Sequence, residues 1–162
     1  MLGKYLIDKL SILHITPHLG GGVGAVLLNW FMVDKECNHS VITLDYANEH
    51  ARTICKQYGV PLYSEIAIEQ INKLIKQTDI VILHFWNHPL LYDFIIRNNL
   101  PACRLIIWSH ISGLEPPNLI TAKILEYPDK FIYTTPISKE ITPNGVILST
   151  SGVEKFSTLQ IS

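Results

Sequence analysis

The sequence predicts a single α/β domain built on a doubly wound parallel sheet of six to seven strands with helices on both faces. Three observations predict it. Apolar runs of strand length alternate along the chain with helix-patterned segments. Most of these runs are continuously apolar and not alternating, as expected for parallel strands buried on both sides. The first run leads through a short spacer into Gly20–Gly24, five residues of which four are glycine, and then into an apolar helix.

In order, the expected strands are Ser11–Thr16, Ser40–Asp45, Pro61–Tyr63, Asp79–Trp86, Arg104–Ser109, Lys130–Thr134 and Val146–Ser149. The helix over Gly24–Val33 is apolar nearly all round, which predicts burial on more than one side. A second helix over Asn48–Tyr58 stops at Gly59, with Pro61 just beyond. A third over Glu65–Gln77 places Ile68, Ile71, Leu74 and Ile75 on one face. Pro89 opens a fourth, Pro89–Asn98, after Asn87 or His88 as cap, with Leu90, Leu91, Phe94 and Ile95 as its stripe. Pro117–Tyr127 carries Ile120, Ile124 and Tyr127 at helical spacing. Repeated strand–helix–strand units imply right-handed crossovers. Residues 1–10 read as a leader, 11–150 as the domain, and 151–162 as the start of a linker.

Length and composition limit what such a domain does. At 162 residues with 48% apolar content and a mean hydropathy of +0.22, the chain buries a full core. No run approaches the roughly 18–20 apolar residues of a membrane span. The opening MLGKYLIDKL lacks the organisation of a signal peptide. A net charge of −1 without a basic run argues against nucleic acid as partner. Cys37, Cys55 and Cys103 are odd in number and widely spaced, which fits free thiols in a reducing cytosol rather than a disulfide frame or a zinc knuckle.

Ligands of doubly wound sheets sit beyond the carboxyl ends of the strands, where strand order reverses. In the usual order this brings the glycine turn, His84 and His110 to one crevice. A glycine-rich turn at a helix N-terminus suits an anion, because backbone N–H groups and the helix dipole point at it. Gly20-x-Gly22-x-x-Ala25, with Asp45 some ~20 residues on, also fits the dinucleotide fingerprint. Against that fit, Pro17-His18-Leu19 separates the first strand from the glycines. Glycines that merely permit a turn are the plainer alternative.

His14/His18 and His84/His88 share an i, i+4 spacing, but strand and proline contexts deny them a common helix face, so no metal site is expected. His14, His39 and His50 are expected to be structural. His110 ends a very apolar strand and precedes Ile111, Ser112 and Gly113. A neutral imidazole there suits a hydroxyl ligand; packing under the following loop is the alternative.

Four segments in order, ILHITPHLGGGVG, DIVILHFW, RLIIWSHISG and VILSTSGVEKF, resemble the N-terminal half of GT-B retaining glycosyltransferases of the family 4 group. The last segment matches at Gly152, Val153, Glu154 and Phe156, with Ser151 where the family usually has asparagine. The resemblance implies an acceptor-side domain. Within it Gly20, Gly21, Gly22 and Val23 face the nucleotide-sugar diphosphate and the acceptor. His110 is implied to position the sugar, with His84 and Ser112 on the acceptor side. A nucleotide-sugar donor and a carbohydrate or lipid-linked acceptor are the implied partners, without a metal or other cofactor. The donor site, with its basic pair and E-x7-E motif, belongs to a C-terminal domain outside this sequence, and turnover is expected to need it. Location in the cytoplasm follows, with peripheral contact at the inner membrane face allowed for lipid-linked acceptors. Two alternatives stay open: an NAD-binding domain of an oxidoreductase, carried by Gly20, Gly22, Ala25 and Asp45, and a non-catalytic binding module.

Overall fold

The computed structural model describes residues 9–143 and 145–148. Its elements run β1 (Ser11–Thr16), α1 (Gly21–Val33), β2 (Asn38–Thr43), α2 (Glu49–Gln57), β3 (Leu62–Ser64), α3 (Ile68–Lys76), β4 (Ile80–Phe85), α4 (Pro89–Arg97), β5 (Leu105–Ser109), α5 (Ala122–Glu126), β6 (Lys130–Tyr133), a 3-10 helix over Pro136–Glu140, and β7 (Val146–Ile147). The strands form one seven-stranded sheet in the order β3-β2-β1-β4-β5-β6-β7, parallel throughout. Strand order reverses between β1 and β4, so this is the doubly wound, Rossmann-like α/β architecture that the alternation predicts.

The period-two alternation of a strand sorts the side chains onto two faces. On one face Leu13, Ile15, Val81, Leu83, Phe85, Leu105 and Ile107 are buried together with Ile71 and Ile75 of α3, Leu91 and Phe94 of α4, and Ile124 of α5. On the other, Val41 packs with Leu27, Leu28 and Phe31 of α1 and Ala51 and Cys55 of α2. Ile12, Ile82 and Trp108 continue that second face under Val26 and Trp30. With helices on both faces, the domain has three layers.

Helix α1 begins three residues earlier than expected because two glycines meet backbone demands. Gly21 has φ +61°, a left-handed conformation that costs glycine little. A Cβ at Gly24 would lie 2.5 Å from the Leu19 carbonyl carbon, so the helix start seats directly on the preceding loop. α2 is capped by Asn48, whose Oδ1 accepts from Ala51 N–H at 2.8 Å.

Two expected helices are shortened. α3 starts at Ile68 because Glu65 takes φ +52° and Gln70 Oε1 accepts from Ala67 N–H to form the N-terminus. The segment expected as a helix from Pro117 becomes one only at Ala122. Asn118 N–H donates to Glu115 O and Ile120 N–H to Gly113 O, so the residues before Thr121 are used in turns. Of the expected leader, residues 1–8 lie outside the described residues, as do Ser149 at the end of the seventh expected strand and the whole expected linker over 151–162, with Ser151–Phe156.

Candidate functional site

The glycine turn and His110 of the predicted crevice sit at the C-terminal edge of the sheet. From β1 the chain passes through Pro17-His18-Leu19 into Gly20. This spacer is a closed loop: Thr16 Oγ1 donates to His18 O at 3.2 Å, and Gly20 N–H donates to His18 Nδ1 at 3.1 Å. Leu19 is buried beneath it, packed with Leu27 and Phe31. The first glycine therefore stands a full loop beyond the strand end, unlike a dinucleotide turn. Gly21 and Gly22 are exposed, and a Cβ at either would meet nothing within 4 Å. Val23 is half-buried.

Around His18 the sequence assembles a ring cluster that motif reading did not find. Its imidazole stacks on Tyr46 at 5.4 Å between centroids and meets Trp86 and His88 edge-on at 5.6 and 6.0 Å. Tyr46 is 49% exposed. Burial and the neighbouring His18 hold the His88 imidazole below its ordinary pKa, with Asp45 opposing them. The sequence signal is positional: Tyr46, Trp86 and His88 each lie within three residues of a strand's carboxyl end.

His110 follows β5 at the same edge. Its N–H donates to Phe85 O at 2.8 Å, which ties the loop to β4. Its ring lies 6.5 Å from Trp86 and 5.1 Å from Trp108. Burial lowers its pKa to about 4, so the ring is neutral at pH 7. Ser112 contributes its backbone: its carbonyl accepts from Ser138 Oγ at 2.9 Å.

His84 departs from expectation. It is fully buried, so it does not line the crevice as an acceptor-side contact. The reason is its place on β4, where even-numbered residues face inward under α1. Its Nδ1 lies 3.0 Å from His110 Nε2, and its Nε2 lies 3.0 Å from His14 Nδ1. His14 Nε2 in turn lies 2.9 Å from His39 Nδ1. The expected structural histidines His14 and His39 are thus hydrogen-bonded to one another, with His14 fully buried and His39 7% exposed. His50 is exposed on α2. Burial, followed by the neighbouring imidazoles, keeps His14 and His84 well below the ordinary histidine value.

A cavity of about 540 Å³ opens at the opposite, N-terminal end of the strands, lined in part by Ser11, Asp34, Lys35, Cys37 and His39. None of the predicted ligand residues lies there. Among the described residues no group of three or more His, Cys, Asp or Glu side chains is arranged to hold a metal ion. No described helix is long and apolar enough to cross a membrane.

No family model matches this sequence, and no curated protein matches it. Among solved structures the chain is similar to apo histidine-tagged saccharopine dehydrogenase (L-Glu forming) from Saccharomyces cerevisiae, at 15% identity and a TM-score of 0.44. The match covers 77% of this chain and 27% of that one, so this chain spans about a quarter of the dehydrogenase's length.

Proposed function

We propose that this domain is the acceptor-side half of a glycosyltransferase, binding sugar hydroxyls at the C-terminal edge of its sheet while a donor domain presents the nucleotide-sugar. The observation that carries the reading is the make-up of that edge. Gly21 and Gly22 leave open space over the first turn of α1. Beside them lie the rings of His18, Tyr46, Trp86 and His88, and then the neutral imidazole of His110. Flat rings with polar tips beside a few fixed polar groups suit a polyhydroxylated ligand, which offers apolar C–H faces and directional hydroxyls together. Exposed N–H groups at the start of α1 suit a diphosphate oxygen approaching across the cleft.

In this reading His110 touches the sugar and positions it, and Gly20–Val23 meet the diphosphate. His84 acts only through His110. The donor's own contacts belong to the second domain, so the chain by itself binds sugars weakly and turns over none.

The competing NAD-binding reading has one favourable feature, Asp45 just beyond β2, where an acidic residue would meet a ribose. Amide and imidazole NMR titrations of the chain with UDP-, GDP- and ADP-sugars, oligosaccharides and NADH separate the two. Shifts confined to Gly21, Gly22, Trp86 and His110 on adding sugar ligands, lost in His110→Ala, are expected. Saturable NADH binding abolished by Asp45→Ala, with no response to sugars, overturns the reading.

A further inference from the structure

Four histidines from four separate segments form one continuous hydrogen-bonded file through the domain. The pairing register explains how. Ile12 pairs with His39, and His14 lies two residues on; His14 pairs with Ile82, and His84 lies two residues on; His84 pairs with Trp108, and His110 lies two residues on. Each step therefore crosses to the next strand and climbs one pleat period, about 6.6 Å, toward the carboxyl edge. All four rings stay on the same face. Successive centroids are 5.2 Å apart with interplanar angles of 28°, 29° and 18°. With N···N distances of 2.9 to 3.0 Å, the rings join edge to edge as a ribbon and do not stack face to face. Trp30 and Phe31 of α1 roof the His14–His39 end, and Trp108 flanks His84 and His110.

Every link joins the Nδ1 of one ring to the Nε2 of the next, so the file has a direction. Asp34, at its lower end, sets it. Burial alone would raise the Asp34 pKa, but Glu36 N–H, the Trp30 indole, His39 and Cys37 N–H together hold it down at about 2. The distances are 2.8 Å to Glu36 N, 3.0 Å to Trp30 Nε1 and 3.2 Å to Cys37 N. His39 Nε2 lies 3.1 Å from Asp34 Oδ2, close enough for an ion pair although poorly aligned as a hydrogen bond. A carboxylate 3.1 Å away favours the proton of His39 on Nε2. His39 Nδ1 is then an acceptor, which requires Nε2–H on His14, then on His84, then on His110. His110 Nδ1 is left with a lone pair. Its neighbour Thr134 Oγ1 is 3.5 Å away and already donates to Ser109 O at 2.9 Å.

We infer that Asp34, His39, His14, His84 and His110 form a one-proton relay, with His110 Nδ1 the base that takes a proton from a ligand hydroxyl at the cleft. The transfer is balanced. The ligand O–H bond breaks and a proton joins His110 Nδ1. The Nε2 proton of His110 moves to His84 Nδ1, that of His84 to His14 Nδ1, and that of His14 to His39 Nδ1. His39 ends as imidazolium beside the Asp34 carboxylate, and the oxygen keeps its electron pair. No charge rests on His14 or His84, where burial penalises it most. His14 and His84 are fully buried, so the file resets by returning the same proton to the cleft. His110 is the catalytic base here; the other three histidines and Asp34 are positioning residues that act through it. The groups facing the file are Asp34 and Cys37 below, with Lys9 and Lys35 lining the same cavity, and His18 and His88 across Trp86 above. The relay is independent of the sugar reading and serves any hydroxyl ligand.

The test uses the full chain with ¹⁵N-labelled histidine and no ligand, reading ring tautomers by long-range ¹H–¹⁵N correlation as pH falls. At neutral pH all four rings are expected as Nε2–H. The first proton taken up by these four rings on acidification is expected on His39. In Asp34→Asn the midpoint of that uptake is expected to fall by about one pH unit or more, and His110, at the far end, to become a mixture of tautomers. Nδ1–H on His14 or His84 in the native chain overturns the relay. So does a His110 tautomer and midpoint unmoved by Asp34→Asn. The native tautomers decide the matter even if that variant is unstable, and His39→Gln gives a second break at the same end, with the same effect expected at His110.

Discussion

The two faces of the sheet share a backbone and differ in chemistry. Under α3, α4 and α5 the strands present aliphatic and aromatic side chains almost alone. Under α1 the same strands present His39, His14 and His84 among Ile12, Ile82 and Trp108. The aliphatic face stabilises by area removed from water, so each residue acts nearly on its own. The histidine face depends on its hydrogen bonds, because a buried nitrogen that loses its partner is penalised, and it already carries Trp108 Nε1 without one. One face makes the domain stand; the other keeps a line of polar groups at fixed distances through its interior.

Five perturbations test the contrast. Leu83→Ala on the aliphatic face should cost about 3–4 kcal/mol in urea unfolding, since the residue is buried and its cavity is walled by close-packed strands. Acid should act on the other face. The unfolded imidazole titrates near 6.5 and folded His110 near 4, so between these values the unfolded chain binds more protons. Stability is then full above pH 6.5 and declines as pH falls toward 4, by about 3 kcal/mol from His110 alone, read as falling urea midpoints. His14 and His84 add to the loss in the same direction.

His84→Leu keeps the volume but orphans His14 Nδ1 and His110 Nε2, for a loss of about 2 kcal/mol and flattening of the acid dependence. The glycines give the smallest effects. Gly24→Ala should destabilise by about 1–2 kcal/mol, because its methyl would collide with Leu19 backbone. Gly22→Ala should change stability by no more than about 0.5 kcal/mol, as a new Cβ meets only open space. If the edge binds sugars, Gly22→Ala should weaken that binding although it leaves the melt unchanged.

What was legible in the sequence follows the same division. Continuous apolar runs and the intervening helical stripes show seven parallel strands, because burial on both faces writes itself into composition along one strand at a time. β1 matches its expected bounds, Ser11–Thr16, and the other strands differ by a residue or two at their ends. The histidine file was not legible, since it exists only once pairing registers are known. His39, His14, His84 and His110 lie far apart in the chain, and a one-residue slip in any pair would turn one ring to the opposite face. Position at the end of a strand therefore points His84 to the crevice, whereas its strand phase puts it inside. Pro117–Thr121 shows the reverse failure: helical spacing is present there, but Gly113 and Glu115 carbonyls take its backbone donors into turns.

The diagonal stagger of the file has an evolutionary consequence. A lone change at His14 or His84 strands the nitrogens on either side, one at His39 strands His14 Nε2, and loss of Asp34 removes the charge at the end of the file. Drift through single neutral steps is thereby blocked at these positions. Among homologues Asp34, His39, His14, His84 and His110 are expected to be kept together or replaced together, while the aliphatic residues behind them exchange one at a time.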